Sequence, residues 1–310
     1  MLITLVALLA LAAVPMAARP PGPVRVTAVE ADSLRGVIER DREETRTWLK
    51  SGATSYLATT LRIDFLERAR LTVGRAAGSD VRLDDPAVLP EHLSVTVVGD
   101  SFRVQALDDS AAFRIKGELR RSAIVGPSSI AVGRYALRLS HQRFPAIIVF
   151  DPQSPRYAQY KGIDYFPADL AWRFVVPLTR DPEPDTLVIL STRGSQRRVV
   201  RAGWFDFTAG GTPCRLEAHR LLEPGVGEGD LAVFFRDATT GRETYAVGRY
   251  IDPVALPDGR YLLDFNLAYN PACAYSEHYN CPIPPRANRL KLAVRAGEKD
   301  SHYPAHDAAR

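Results

Sequence analysis

Lysine, asparagine and cysteine are scarce in this chain: 5 Lys, 4 Asn and 3 Cys stand among 310 residues, against 35 Arg. Lys and Arg together number 40 and Asp and Glu 36, a formal net charge of +4, and no stretch gathers the cations into a block. A nucleic-acid surface is a clustered basic face, so that partner is excluded. The common catalytic signatures are equally absent: there is no Gly-x-Ser-x-Gly elbow, no phosphate-binding P-loop and no His-Glu-x-x-His. Gly225-Val226-Gly227-Glu228-Gly229 is glycine-rich, but it joins two strand-like segments and no helix follows, so it reads as a flexible loop. His302 and His306 have metal-ligand spacing only if helical, and they fall in a polar tail. No cofactor or metal is implied.

Long apolar runs are scarce too. Leu2 to Met16 is an almost unbroken one, followed by Ala17, Ala18 and Arg19-Pro20-Pro21. It is too short to cross a bilayer comfortably and sits where a secretory signal sits. No Cys lies there, which removes a bacterial lipoprotein anchor. The expectation is a signal peptide over residues 1–18 and an exported protein, periplasmic or secreted, with no membrane span after cleavage. The remainder, with 46% hydrophobic and 25% charged residues over the whole chain, has the composition of a globular protein with an ample core. Its length suits two modules.

The fold class expected is mainly all-β, preceded by one helix. Residues 32–51 read as that helix: Asp32 or Ser33 can cap it, Leu34, Val37, Ile38, Trp48 and Leu49 form a broken apolar stripe, and Gly52 stops it. Its charged middle, Arg40 to Arg46, reads as solvated, and the helix as scaffold. Short alternating segments follow at Leu61–Phe65, Leu71–Val73, Leu93–Val97 and, after a Gly99-Asp100 turn, Phe102–Val104. Strands of this length and spacing indicate a β-sandwich, taken over residues 57–142.

Gly74-Arg75, Ser79-Asp80-Val81-Arg82-Leu83 and His92 resemble the opening of a forkhead-associated domain. Lys116-Gly117 and Gly126-Pro127-Ser128-Ser129-Ile130-Ala131-Val132-Gly133 resemble its second half. In that family an Arg, a Ser and an Asn hold a phosphothreonine peptide. Arg75 matches the first, but Leu89 stands in place of the Ser and Lys116 in place of the Asn. Without the hydroxyl and the amide most of the charge-assisted grip on a phosphate is gone, so the resemblance implies the sandwich and not phosphopeptide binding.

Residues 144–300 read as a second β domain, an antiparallel meander forming a barrel or second sandwich, with a polar tail over 301–310. Strands are expected over Val199–Thr208, Cys214–Arg220, Leu231–Asp237, Thr244–Tyr250, Arg260–Asn266 and Arg289–Arg295. If Thr240-Gly241 is a two-residue hairpin loop, Asp237 faces Thr244 and Arg236 faces Tyr245. One face then carries Leu231, Val233, Phe235, Ala246 and Tyr250 as core. The other carries Phe234, Arg236, Tyr245, Val247 and Arg249. Two guanidiniums and a phenol among apolar residues can line a pocket for an anion; a solvent-facing strand surface rich in Arg is the simpler alternative.

All four Asn (Asn266, Asn270, Asn280 and Asn288) fall in one short stretch, together with Cys273 and Cys281 and with Pro271, Pro282, Pro284 and Pro285. Asn tolerates left-handed backbone and bonds its own main chain, and Pro restricts it, so a specially shaped loop is the minimal reading. Cys273 and Cys281 can close a small disulfide ring in an oxidising compartment, adding about 2 to 3 kcal/mol. A metal site with His278 does not follow a familiar zinc spacing. Cys214 is left over, as a small buried hydrophobe.

The chain also resembles an uncharacterised prokaryotic family, domain of unknown function 1684. The resemblance runs through Phe235–Thr239, Thr244-Tyr245, Gly248-Arg249-Tyr250, Asp264-Phe265-Asn266, Tyr269–Tyr275, Cys281–Pro285, Asn288-Arg289-Leu290 and Ala296–Lys299. It implies a fold and no activity. Three functions fit these features. A binding module would hold a small polar or anionic ligand with Arg236, Asp237, Tyr245, Arg249, Asp264, Asn266, Tyr269 and Asn270. A hydrolase-type enzyme would use Asp237, Asp264 or Tyr269 beside the same Arg pair, with Glu217 a further acid. An envelope interaction module would dock a partner on an exposed apolar patch.

Overall fold

Thr27 and Glu30 decide where the first element begins. In the computed structural model, which describes residues 20–301, the Thr27 hydroxyl accepts from the Glu30 N–H and the Glu30 carboxylate from the Thr27 N–H. This reciprocal box starts helix α1 (Ala28–Ser51) one turn earlier than expected, because it satisfies two orphan donors where Asp32 or Ser33 alone would satisfy one. The charged middle is not all solvated either. Arg42 is buried, donates to Glu39 at 2.7 Å and holds its guanidinium 4.8 Å from the Tyr165 ring. Ile38, Arg42 and Leu49 form the buried face. Upstream, the Val24 N–H donates to Arg173 O at 2.9 Å and the Thr208 N–H to Pro21 O at 2.7 Å, tying the lead-in to the second β unit. The expected signal segment, His302 and His306 lie outside the described residues.

The first β unit is the sandwich expected from the forkhead-associated resemblance. Its strands are β1 (Thr59–Asp64), β2 (Arg70–Gly74), β3 (Val81–Arg82), β4 (Leu93–Val98), β5 (Ser101–Ala106) and β6 (Phe113–Ile115). They continue as β7 (Glu118–Arg120), β8 (Ser122–Val125), β9 (Ser128–Val132), β10 (Tyr135–His141) and β11 (Pro145–Phe150). One sheet runs β1-β11-β10-β9-β6-β7 and the other β3-β2-β4-β5-β8. Inward residues such as Leu71, Val73, Val95, Val104, Leu137 and Leu139 close the core between them. Strand β11 is an unbroken apolar run rather than an alternating one, the pattern of a strand covered on both faces. Its Ile147 and Val149 enter the sandwich core, while Ile148 and Phe150 enter a second cluster with Leu49 and Leu57, beside Tyr275 and Tyr279. That strand joins the sandwich to the rest of the molecule.

The second unit consists of β12 (Arg173–Arg180), β13 (Thr186–Leu190), β14 (Gln196–Ala209), β15 (Thr212–Leu221), β16 (Val233–Phe235), β17 (Arg249–Ile251), β18 (Val254–Ala255) and β19 (Arg260–Asp264). The sheet order is β13-β14-β12-β19-β18, with β15 on the other edge of β14 and β16-β17 as a separate pair. Among the described residues this path closes no barrel. β14 changes partner at Gly203: before it β14 pairs with β13, after it with β12, and the register against β15 shifts there. Gly203 has φ +150°, and a Cβ would sit 2.2 Å from Thr179 O, so only glycine lets β12 approach.

The predicted hairpin is corrected in register. Phe235 pairs with Arg249 and Phe234 with Tyr250, not Arg236 with Tyr245 or Asp237 with Thr244. The reason lies in the connection. Asp237 Oδ1 accepts from the Thr239 N–H at 2.6 Å, the Thr239 and Thr244 hydroxyls meet at 3.0 Å, and the Gly241 N–H donates to Thr244 O. This Asx-type turn absorbs residues 236–248 into a folded loop. Arg289–Arg295, expected as a closing strand, forms none among the described residues: Arg289 makes a parallel bridge to Arg236, and Leu292 O accepts from the Ala238 N–H.

Candidate functional site: an aromatic pocket lined by carboxyls

On α1, Asp41, Thr45, Trp48 and Leu49 recur at helical spacing and share one face. That face is only partly open to solvent: Leu49 is buried, while Asp41 and Trp48 keep exposed surface. It roofs a pocket of about 530 Å³ whose floor and walls come from the second unit, so the helix read as scaffold is part of the site. Tyr56, from the turn after the helix, stands edge-on to Trp48 at 4.7 Å and stacks on Tyr275 at 5.4 Å. Tyr165, Tyr269, Ile163, Ile251 and Leu262 complete an aromatic and aliphatic lining.

Four carboxyls reach this lining: Asp41, Asp252, Asp264 and Glu298. Asp264 is engaged, paired with Arg173 and accepting at one oxygen from Asn266 N–H at 3.0 Å and Nδ2 at 2.9 Å. Asp252 and Asp41 stand at the mouth. Tyr269 OH donates to Asp252 at 3.1 Å, and burial among its neighbours pushes the Asp252 pKa up. Burial and then Glu44 do the same to Asp41. Glu298 lies on the floor, buried. Its Oε2 accepts from the Asn270 N–H at 2.7 Å and Tyr275 OH at 2.9 Å, and its Oε1 from Tyr165 OH at 3.5 Å. Those bonds favour the charged form, yet loss of water outweighs them and pushes the pKa up to about 7.

Gly297 places Glu298. Its φ is +77°, and a Cβ there would lie 2.4 Å from Ala268 O and 2.7 Å from Phe265 O. The chain can therefore turn directly against 265–268, and the Glu298 N–H donates to Ala268 O at 2.8 Å.

Of the residues expected at the site, Asp264, Tyr269 and Asn270 line the pocket; Arg236, Asp237, Tyr245, Arg249 and Asn266 do not. Arg249 is 1% exposed. It donates to Asp237 at 2.8 Å, to Val294 O at 2.8 Å and to Glu298 O at 3.1 Å, and also bonds Ala296 O, so it ties down the C-terminal segment. Arg236 spends its Nε on Val247 O, and Tyr245 its hydroxyl on Cys273 O. The Arg pair is thus not set beside Tyr269 and Asp264, as the hydrolase arrangement requires. Glu217 pairs instead with His219 at 3.2 Å and Arg201 at 3.5 Å.

The four Asn serve as staples between segments. Asn266 bonds both the N–H and the C=O of Asp169, and Asn288 both those of Glu217 plus Phe234 O. Asn270 donates to Lys299 O and Asn280 accepts from Arg193 N–H. An amide side chain offers the donor and acceptor of a peptide group, so it stands in for a missing strand in irregular chain. Cys273 and Cys281, expected as a disulfide, are free buried thiols, as is Cys214. The Cys281 sulfur accepts from the Cys273 N–H at 3.3 Å, and the contact between the two thiols lowers the Cys273 pKa and raises that of Cys281. In the sandwich, Arg75 spends its Nε on Val88 O at 3.2 Å.

Sequence reasoning missed Glu298, Asp252, Asp41 and Trp48 as site residues. Glu298 and Tyr275 were visible only as letters in family-like motifs, and Trp48 as part of an apolar stripe.

Fold and site together define a mainly β protein with a small-molecule-sized aromatic pocket under its N-terminal helix. The sequence pattern described as "Protein of unknown function (DUF1684)" matches residues 158–299. An uncharacterized protein of Haloarcula marismortui, solved by NMR, is 36% identical, covering 48% of this chain and 82% of that one, at a TM-score of 0.38. The chain belongs to the DUF1684 family. Similar solved structures also include the forkhead-associated domain of FhaA, complexed with the intracellular domain of another protein. It is 16% identical, covering 26% of this chain and 79% of that one at a TM-score of 0.20. EmbR of Mycobacterium tuberculosis, complexed with a low-affinity phosphopeptide, is 14% identical, covering 40% of this chain and 30% of that one at a TM-score of 0.21. No curated protein matches the chain.

Proposed function

We propose that this protein is an exported binding protein that holds one small organic molecule in the pocket between α1 and the second β unit. The observation that carries this is the pocket itself: about 530 Å³, walled by aromatic side chains, with polar groups converging on it from several separate chain segments. Ligand sites are commonly of this size and make-up, mostly apolar with a few placed polar groups. Of the small polar or anionic ligands first expected, an anion finds no Lys, Arg or His on this lining among the described residues. Export rests on the Leu2–Met16 run.

Native mass spectrometry on protein isolated from its own host tests both parts. The expected spectrum shows a chain beginning near residue 19 that carries an organic adduct, lost in the plugged variant Thr45→Trp. A bare wild-type chain that also fails to respond to a diverse fragment library would refute the binding role; an intact Met1 would refute export with cleavage.

A further inference from the structure

We propose that the pocket selects a protonated amine, whose ammonium group is held at the floor by the Glu298 carboxyl and Asn270 Oδ1 and drawn in by the negative charge of Asp41 and Asp252 at the mouth, while its apolar body lies against the aromatic wall. The proposal rests on the binding role above and adds the chemical class of the ligand.

Charge comes first. Four cations around the pocket are each answered by an acid: Arg173 by Asp264, Arg249 by Asp237 at 2.8 Å, Arg42 by Glu39 at 2.7 Å and Arg46 by Glu43 at 3.4 Å. Asp41, Asp252 and Glu298 have no ion-pair partner among the described residues, and all three line the same pocket. Asp41 and Asp252 keep exposed surface at the mouth, whereas Glu298 is buried; a carboxyl taken out of water without a counter-charge is costly, and a cation placed beside it restores what burial removed. The raised pKa values of all three agree with that deficit.

Hydrogen bonding narrows the class. Asn270 lines the pocket and is 1% exposed. Its Nδ2 is used on Lys299 O, but its Oδ1 is buried without a hydrogen-bond partner among the described residues. Buried polar atoms are rarely left unmatched, because the desolvated group loses water and gains nothing. An amide oxygen can only accept, so it calls for a ligand N–H or O–H. A quaternary ammonium, which has no N–H, would leave it unmatched.

The wall supplies the third element. Trp48, Tyr56 and Tyr269 line the same space as the carboxyls, and aromatic faces attract cations as well as apolar bodies. The faces of Tyr165 differ, being already approached by Arg42 at 4.8 Å and Arg46 at 4.9 Å. An amine with an aryl or alkyl body satisfies all three sets of groups at once; an alcohol satisfies the second and part of the third, and a carboxylate opposes the first.

Isothermal titration calorimetry with matched probes tests this on the full mature chain. The probes are tryptamine, tryptophol and indole-3-acetate; hexylamine, hexanol and hexanoate; and N,N,N-trimethyltryptammonium. In at least one series the amine is expected to bind at least tenfold more tightly than its alcohol and carboxylate, and tryptamine more tightly than its trimethylated form. Asp252→Asn, at the exposed mouth, is expected to weaken the amine several-fold and leave the alcohol unchanged. Thr45→Lys, which adds a cation to the pocket, is expected to abolish the preference, while Thr45→Met keeps it. Alcohols or carboxylates binding as tightly as amines, with Thr45→Trp blocking them, would overturn the amine assignment and leave the binding role standing. If no probe of any charge binds the wild type better than Thr45→Trp, both fall.

Discussion

Glu298→Gln replaces one oxygen of a carboxyl that the fold has removed from water, and its consequences can be worked out from the bonds around it. The two close donors, Asn270 N–H and Tyr275 OH, reach the same oxygen. Gln keeps both by presenting its carbonyl there, with its amide NH2 donating to the Tyr165 hydroxyl. What changes is the titration. Burial pushes the Glu298 pKa in the folded protein from 4.5 up to about 7. Between those values the folded state holds a proton that the unfolded state has released, so stability falls as pH rises. The contribution of the protonated group is complete below the unfolded value and is lost as pH climbs through about 7. At about 1.4 kcal/mol for each pH unit of that difference, the loss is roughly 3 kcal/mol. Urea unfolding of both proteins between about pH 5 and pH 8 should show the wild type losing that much relative to Glu298→Gln, whose own curve lacks this component. Parallel curves, or a wild type that gains on the variant as pH rises, would refute the assignment of Glu298 as a buried carboxyl without a counter-charge.

Two further outcomes follow from geometry. Arg249→Ala removes the only cation paired with buried Asp237 among the described residues and frees three backbone carbonyls. It should cost about 3 to 5 kcal/mol. Chemical denaturation would then show a loss of fold, whereas a stable variant deficient only in binding would restore Arg249 to a ligand site. Gly297→Ala forces a side chain into left-handed backbone against two carbonyl oxygens, and should lower stability by more than about 2 kcal/mol. A Tm within a degree or so of wild type would mean that residues 265–268 give way easily.

The sandwich was legible because its strands are short, alternating and separated by turn residues, which is local information. β11 shows the limit of that information: its apolar run announces that both faces are covered but not by what, and the answer, a cluster beneath α1, draws on residues as far apart in the chain as Leu49 and Leu57 before it and Tyr275 and Tyr279 after it. The hairpin failed for a related reason. Thr240-Gly241 has turn chemistry, but the Asp237 carboxylate and the Thr239 and Thr244 hydroxyls organise a longer loop, and the pairing slides to Phe235 opposite Arg249. Arg249 therefore went from an anion ligand to an internal tie.

The Asn cluster was correctly marked as special, yet its use was not visible. Asn266 and Asn288 replace strand pairing toward Asp169 and Glu217, partners that no spacing rule connects. The amino-acid sequence by itself determined the mainly β class, the leading helix and the family to which the chain belongs, since periodicity, turn residues and long ordered motifs are carried locally. Only the tertiary structure decided where the pocket lies and which groups line it. Asp41 and Trp48 of α1, Asp252 after β17 and Glu298 near the end of the described chain meet through packing, and the change in Glu298 from an ordinary acid to one that titrates at about 7 comes from loss of water on burial.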